Sequence, residues 1–328
     1  MSMGETMVQA KKPLQPNGTK KKGLTSRQKK RLLFYSCFIC IPLLQFLVFY
    51  IYVNFNSIAL AFQSFEAKAG TTGYTVTFAG FENFKTAFTI IGENIFMIKN
   101  SAIMFVCSTL VGLSLALLLS FYLYKRFPAA GFFKVILFMP QILSHVVFAL
   151  IFAKIGDELI PDIFEKLSGE QIMGIMTNPD TNFGVLIIFN LWIGFGVNVL
   201  LFQGAMEGIN PSVVESAQLD GVNLMQEFFH ITIPMIFPTF VTFLVLGLAG
   251  IFTNQMNLFS LYGTSADAHL QTFGYFMYMQ SLKSDIVASY GFYSYSELSA
   301  LGLVLTLIVF PITFGTRKLL EKFGPSTD

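Results

Sequence analysis

Six runs of predominantly apolar residues, near 33–53, 101–124, 133–153, 183–206, 235–254 and 294–316, alternate with polar segments along the chain. Each is about as long as a helix needs to be to cross a bilayer, roughly 20 residues for about 30 Å of hydrocarbon. Their interiors are essentially free of charge. A backbone surrounded by lipid must satisfy its own polar groups, which apolar runs of this length do as helices. Pro140, Pro238 and Pro311 fall inside the third, fifth and sixth runs and predict kinks, because proline removes a hydrogen-bond donor and clashes with the preceding turn. The fold class predicted is all-α, a polytopic membrane protein of about six transmembrane helices within 32–323.

The polar segment 207–234, between the fourth and fifth runs, has a different pattern. Asn210 before Pro211 is a helix start, since an Asn oxygen accepts an orphan amide and proline costs nothing at the first helical position. A short helix is predicted from about Pro211 to Asp220. Gly221 permits the left-handed backbone that ends it, and Asn223 with Gln226 three residues later predicts a second start. The segment carries Glu207, Glu215, Asp220 and Glu227 and no Lys or Arg. It must meet water or another protein.

Within it, Glu215-Ser216-Ala217, three residues, Gly221, nine residues, then Ile231-x-Ile233-Pro234 resembles the loop shared by the membrane subunits of ATP-binding-cassette importers. That loop reads Glu-Ala-Ala, three residues, Gly, nine residues, Ile-x-Leu-Pro. Ser216 stands here for the middle Ala and Ile233 for the Leu. The resemblance implies a type I importer-like permease in which Glu215, Ser216, Ala217, Asp220, Gly221, Ile231 and Pro234 form the docking site for an ATPase. An unremarkable helix-turn-helix connection between spans is the alternative.

Composition agrees with a membrane setting: 54% of the 328 residues are hydrophobic and 12% charged, with a mean hydropathy of +0.62. Charge then orients the spans. With six spans and both ends on one side, the tail, the 125–134 turn, the 207–234 loop and the C-terminus hold 15 of the 21 Lys and Arg residues. The opposite loops hold Lys68, Lys85, Lys99, Lys154, Lys166 and Lys283. Both termini and the docking loop are therefore expected in the cytoplasm. Residues 1–31, with nine Lys or Arg, read as a basic cytoplasmic tail near anionic lipid, not as a nucleic-acid-binding arm or a signal peptide. Cys37, Cys40 and Cys107 fall inside spans and imply neither disulfide nor metal.

On the outer side, the loop 62–99 predicts an interfacial helix anchored by aromatics around Phe81-Glu82-Asn83-Phe84-Lys85. Gly80 to Phe84 resembles a Gly-Leu-x-Asn-Tyr segment of sugar-importer permeases. The loops 155–182 and 255–293 are polar, the second with Tyr262, Phe273, Tyr275, Phe276 and Tyr278. They suit an aromatic membrane belt or contact with a delivery protein.

The chain lacks a phosphate-binding G-x-x-x-x-G-K-[ST] loop, so ATP and magnesium are assigned to a partner ATPase, with no cofactor in this chain. No residues are spaced as a metal site or a nucleophile with its base, which speaks against an enzyme. An ion-coupled secondary carrier is the main rival class, and the span interiors lack the carboxylate it would use. An importer of a non-sugar solute stays open. His145, one turn after Gln141, either lines a solute path or is hydrogen-bonded within the bundle, and His230 is placed to orient the docking loop.

Two further stretches resemble maltose-type permeases: Asn190-Leu191-Trp192-Ile193-Gly194-Phe195-Gly196-Val197-Asn198 and Gly250-Ile251-Phe252-Thr253-Asn254-Gln255-Met256-Asn257. The resemblance implies a substrate path along Asn190, Gly194, Asn198, Gly250, Asn254 and Asn257. Asn254 and Asn257, three apart, are expected to share a helical face. Uncharged amides suit a hydroxyl-rich solute, although they also serve as glue between helices. Val197 stands where that family carries an aromatic. The partners implied are a second homologous permease subunit, an ATP-binding-cassette ATPase dimer, an extracytoplasmic solute-binding protein, a carbohydrate substrate and membrane lipid, in a bacterial cytoplasmic membrane.

Overall fold

The computed structural model describes residues 25–67, 74–283 and 293–325. Most of the expected 1–31 tail, Lys68 and residues 326–328 lie outside them, whereas Lys29, Lys30 and Arg31 of that tail sit in the first turns of a helix that begins at Ser26. Two compact units divide the chain, one ending at Asn56 and the other beginning at Ser57. From Ser26 on, the described residues of the first belong to one long helix, α1 (Ser26–Leu60). Thr25 and Gln28 close a capping box at its start. It is apolar on all sides beyond Arg31, the composition of a helix that faces lipid.

The second unit is built on four further long apolar helices: α3 (Ile95–Tyr124), α6 (Asn182–Glu207), α8 (Leu224–Ala249) and α11 (Tyr295–Phe323). With α1, five helices among the described residues are long and apolar enough to cross a membrane, and a bent pair makes up to six. That pair is α4 (Ala130–Ile142) and α5 (His145–Ser168), which meet at 104°. The third run is therefore broken, and the reason is local. Pro140 deletes a rung of the helix, Leu143 turns to an extended backbone, and Ser144 starts α5. Pro238 and Pro311, by contrast, lie within helices that continue through them.

Shorter pieces connect them: α2 (Glu82–Glu93), α9 (Leu258–Tyr262) and α10 (Phe273–Lys283), with α7 (Pro211–Leu219) ahead of α8. One departure from the all-α expectation is a hairpin, β1 (Gln63–Ala67) against β2 (Tyr74–Phe78), antiparallel with Phe65 opposite Val76. The alternating Tyr74-Thr75-Val76-Thr77-Phe78 is the strand signal. The helix expected around Phe81–Lys85 is α2, and it is not merely interfacial. Ala87 and Ile90 pack with Ala300, Leu301 and Val304 of α11, while Phe81 and Phe88 stay exposed. Buried Asn83 donates to the carbonyls of Ala61 and Gln63, both at 2.9 Å, which gives the Gly80–Phe84 motif a structural purpose.

The core has an inner cluster, in which Leu113, Ala116 and Phe121 of α3 meet Val199, Phe202 and Met206 of α6 and Ile236 and Leu244 of α8. Ser120 of α3 donates across to the Val199 carbonyl of α6 at 2.9 Å. Gly196 lets α4 approach α6, since a Cβ there would collide with the Leu137 carbonyl. The Gln141 amide donates to the Ile193 carbonyl beside it.

Candidate functional site

Two sets of residues singled out in the sequence occupy two regions of the second unit. The first is the polar connection from α6 through α7 to α8. The Asn210 side chain accepts from the Ser212 amide at 3.1 Å and Pro211 takes the first helical position, as their chemistry predicts. Gly221 adopts φ +81° and ends the helix. Asn223 and Gln226 then exchange two hydrogen bonds of 2.9 Å each, which start α8. Helix α8 passes from this cap through a π-helical turn over Phe228–Thr232 and on to Ala249 without a break. From Leu224 onward the connection and the fifth apolar run are one continuous helix.

Burial sorts the predicted docking residues. Glu215, Ser216, Asp220 and Gly221 are exposed, Ala217, Ile231 and Pro234 are half-buried, and the Ser216 hydroxyl donates back to the Ser212 carbonyl at 2.7 Å. Around them Leu219 is 89% and Met225 66% exposed, so the tip presents both acid and apolar surface. Underneath, Val214 and Phe228 are buried in the inner cluster. His230 holds the Gln226 carbonyl through Nδ1 at 3.2 Å, within its own helix.

Two residues of this region escaped the sequence reading. Glu227 is 2% exposed and forms an ion pair with Lys125, the residue that caps α3. Glu227 looked like one more acid of a solvated insert. Its neighbour Phe228, the first of an apolar pair, was the available sign that the helix face turns inward here.

The second set lies where α6 meets the segment after α8. Asn190 is buried; its amide donates to the Leu186 carbonyl at 2.9 Å and to the Met256 carbonyl at 2.8 Å. Its oxygen accepts from the Asn257 amide at 2.9 Å. The expectation that Asn254 and Asn257 share a helical face is wrong. Helix α8 stops at Ala249, Gly250 caps it, and 250–257 is a chain of turns. Asn254 closes a turn of its own by accepting from the Met256 amide at 2.8 Å, a local bond that competes with helix. Met256 and Asn257 then sit at φ +50° and +56°, a backbone that costs free energy for side chains other than glycine.

Asn254 faces outward from this turn and Asn257 is half-buried. Gly194 is exposed and Asn198 half-buried, at four-residue steps from Asn190 along one stripe of α6. The fold thus joins Asn190 and Asn257 directly and ties Asn254 to the same turn through Met256, while Gly194 and Asn198 lie further along α6, where Val197 is exposed. His145 is exposed at the start of α5, at the α4–α5 break, rather than held inside the bundle. Trp192 is engaged by Phe148 and Phe152 of α5, with ring centroids 5.1 and 6.4 Å apart.

In the loops expected outside, Asp157 accepts from the Met176 and Thr177 amides at 2.9 and 3.2 Å, and the Tyr262 hydroxyl donates to the Met176 carbonyl at 3.1 Å. Burial, with Asp157 and Asp267 nearby, pushes the Tyr262 hydroxyl up to about 12.

Long apolar helices with an exposed, capped turn between two of them are the build of a polytopic membrane protein. The family described as the binding-protein-dependent transport system inner membrane component matches residues 108–326, and the chain belongs to it. Similar proteins include the multiple sugar-binding transport system permease protein MsmF of Streptococcus mutans, 24% identical over 87% of this chain and 94% of its own length. The arabinooligosaccharides transport system permease protein AraP of Bacillus subtilis is 26% identical over 85% of this chain and 86% of its own. A chain of the bacterial alginate ABC transporter, solved with a periplasmic protein holding an alginate pentasaccharide, shares the fold, with a TM-score of 0.69 at 20% identity over 90% of this chain and 96% of that one.

Proposed function

We propose that this chain is the membrane-spanning permease subunit of an ATP-driven importer that takes up a sugar or oligosaccharide delivered by a solute-binding protein. The observation that carries the reading is the 210–234 connection. Its tip, with Glu215, Ser216 and Gly221, is exposed, while its base is buried through Val214 and Phe228 and runs unbroken into α8. Such an element receives a push from a partner and passes it into the membrane. The partner is an ATPase dimer that binds ATP and magnesium, and a second homologous permease completes the pathway. The distribution of basic residues supports an orientation with both termini and this turn on the cytoplasmic side of a bacterial cytoplasmic membrane.

The sugar assignment rests on the transport named for MsmF and AraP and on the uncharged amides of Asn198, Asn254 and Asn257, with Asn190 holding the turn that carries the last two. Amides both donate and accept, which matches the mixed donor and acceptor pattern of hydroxyls. The test is uptake of labelled oligosaccharides into vesicles that hold the purified complex, with ATP inside and the binding protein outside. Uptake should require ATP and stop when the ATPase is omitted. Uptake driven by an ion gradient without ATP would overturn the reading.

A further inference from the structure

The ends of α3 are fastened to two regions that the proposed transport must link. At one end Lys125 caps the helix, its ammonium 5.7 Å from the Phe121 ring centre and 5.4 Å from that of Tyr124. Glu227, one residue before the π-helical turn of α8, pairs with that ammonium; the lysine side chain is 14% exposed and the glutamate 2%. Phe228 packs on Phe121 with ring centroids 4.9 Å apart. Two consecutive residues of the docking segment therefore grip one helix end, one by charge and one by aromatic contact.

At the other end, the Asn100 amide donates to the carbonyls of His269 and Gln271 at 2.7 and 3.0 Å. Ser101 accepts from the Phe273 amide at 3.3 Å, and the Thr272 hydroxyl reaches the Asn254 carbonyl at 3.4 Å. The 30 residues of α3 span about 45 Å at about 1.5 Å per residue. One continuous helix, with a π-helical stretch at Val106–Val111, thus runs from the docking segment to the support of the Asn254–Asn257 turn.

The ion pair differs in kind from the others described. Lys85–Glu82, Lys154–Glu158 and Arg317–Glu321 are exposed pairs within single helices. Such pairs contribute little. A buried pair between two elements is a poor device for stability, because desolvation offsets its attraction, but it specifies one relative position of those elements.

We infer that Lys125 and Glu227 are positioning residues for transport: their ion pair is the joint that makes α3 follow the docking segment, so that movement at the ATPase reaches the Asn254–Asn257 turn. The inference rests on the importer reading proposed above. It assigns to the pair a role in coupling, separate from binding the ATPase or the sugar.

The test uses the full complex in vesicles, with ATPase co-purification, ATP hydrolysis, sugar uptake and melting temperature measured together. Glu227→Gln keeps the shape and removes the charge. Its ATPase should co-purify normally, while sugar moved per ATP falls about tenfold, within the range typical of coupling between sites. Lys125→Gln should behave alike, and the exchanged pair Lys125→Glu with Glu227→Lys should recover most of the ratio. An unchanged ratio in both single variants, or no recovery in the exchanged pair, overturns the joint. So does failure of both single variants to assemble, since the pair would then be structural alone. Absence of ATP-dependent uptake in the wild-type complex would instead overturn the importer reading.

Discussion

The side-chain oxygen of Asn190, on α6, accepts a hydrogen bond from the side-chain amide of Asn257, in the turn that follows α8, at 2.9 Å. With the Asn190 amide already donating to the Leu186 and Met256 carbonyls, both of its donors are spent on protein. That separates two amides which the sequence presents as equals. Asn190 is a staple that holds the turn, whereas Asn254 faces outward with its oxygen tied to the Met256 amide and no partner described for its own amide donors.

Asn190→Leu should accordingly act on stability. The substitution orphans the Met256 carbonyl and the Asn257 amide in a buried setting, at a cost of about 1–3 kcal/mol. The expected result is a lower melting temperature and a lower yield of assembled complex. A variant with wild-type melting temperature and reduced uptake alone would assign Asn190 to the solute instead.

Asn254→Leu should do the opposite. Within the protein only the turn bond to the Met256 amide is lost, so assembly and ATP hydrolysis are expected to persist, while apparent affinity for sugar falls roughly tenfold to hundredfold, the equivalent of losing about 1–3 kcal/mol of hydrogen bonding. Uptake measured over a range of sugar concentrations checks it. Undiminished uptake would remove Asn254 from the path.

What the sequence revealed and what it hid divide along the range of the interactions. The Asn210 cap, the positive φ of Gly221 and the Asn223–Gln226 box depend on residues two or three apart, so residue chemistry predicts them. The apolar runs likewise predict long helices, because lipid leaves the backbone few other choices. The Lys125–Glu227 and Asn190–Asn257 pairs join residues far apart in the chain, and no spacing rule brings them together. The face assigned to Asn254 and Asn257 failed for another reason. A helical period was extended past Gly250, where the Asn254 side chain bonds to the Met256 amide and bends the chain away.

The Tyr262 hydroxyl supplies a pH dependence with a definite sign. Its folded value, pushed up to about 12, exceeds the ordinary 10.0, so the folded state holds the proton more tightly than the unfolded state does. The associated stability is complete below pH 10 and is lost as pH rises from about 10 towards 12. Melting temperatures recorded across that window should fall less steeply for Tyr262→Phe than for the wild type. Parallel slopes would show that Tyr262 does not contribute.

Orientation can be read by labelling. With Cys37, Cys40 and Cys107 replaced, single cysteines at Gly18, Ser216 and Ser326 should react only with reagent on the cytoplasmic side, and one at Ser265 only from outside. Ser216 and Ser265 are exposed, so access does not limit either reaction. Labelling of Ser216 from outside would place the connection beyond the reach of an ATPase.

The sharpest test of the docking turn is Gly221. At φ +81° a side chain is strained, and a β-branched one most of all, at a cost of the order of 1–2 kcal/mol. Open space surrounds the position, so any effect of a substitution comes through the backbone and not through a clash. Gly221→Val should shift the end of α7, displace Glu215 and Ser216 relative to the start of α8, and reduce both ATPase co-purification and uptake. Gly221→Asn, which tolerates the left-handed region, should retain most of both. The buried base of the connection, Val214 and Phe228, is untouched by either change, so the helices themselves should melt as in the wild type. Equal, wild-type values of co-purification and uptake in both variants would remove the turn from the docking site.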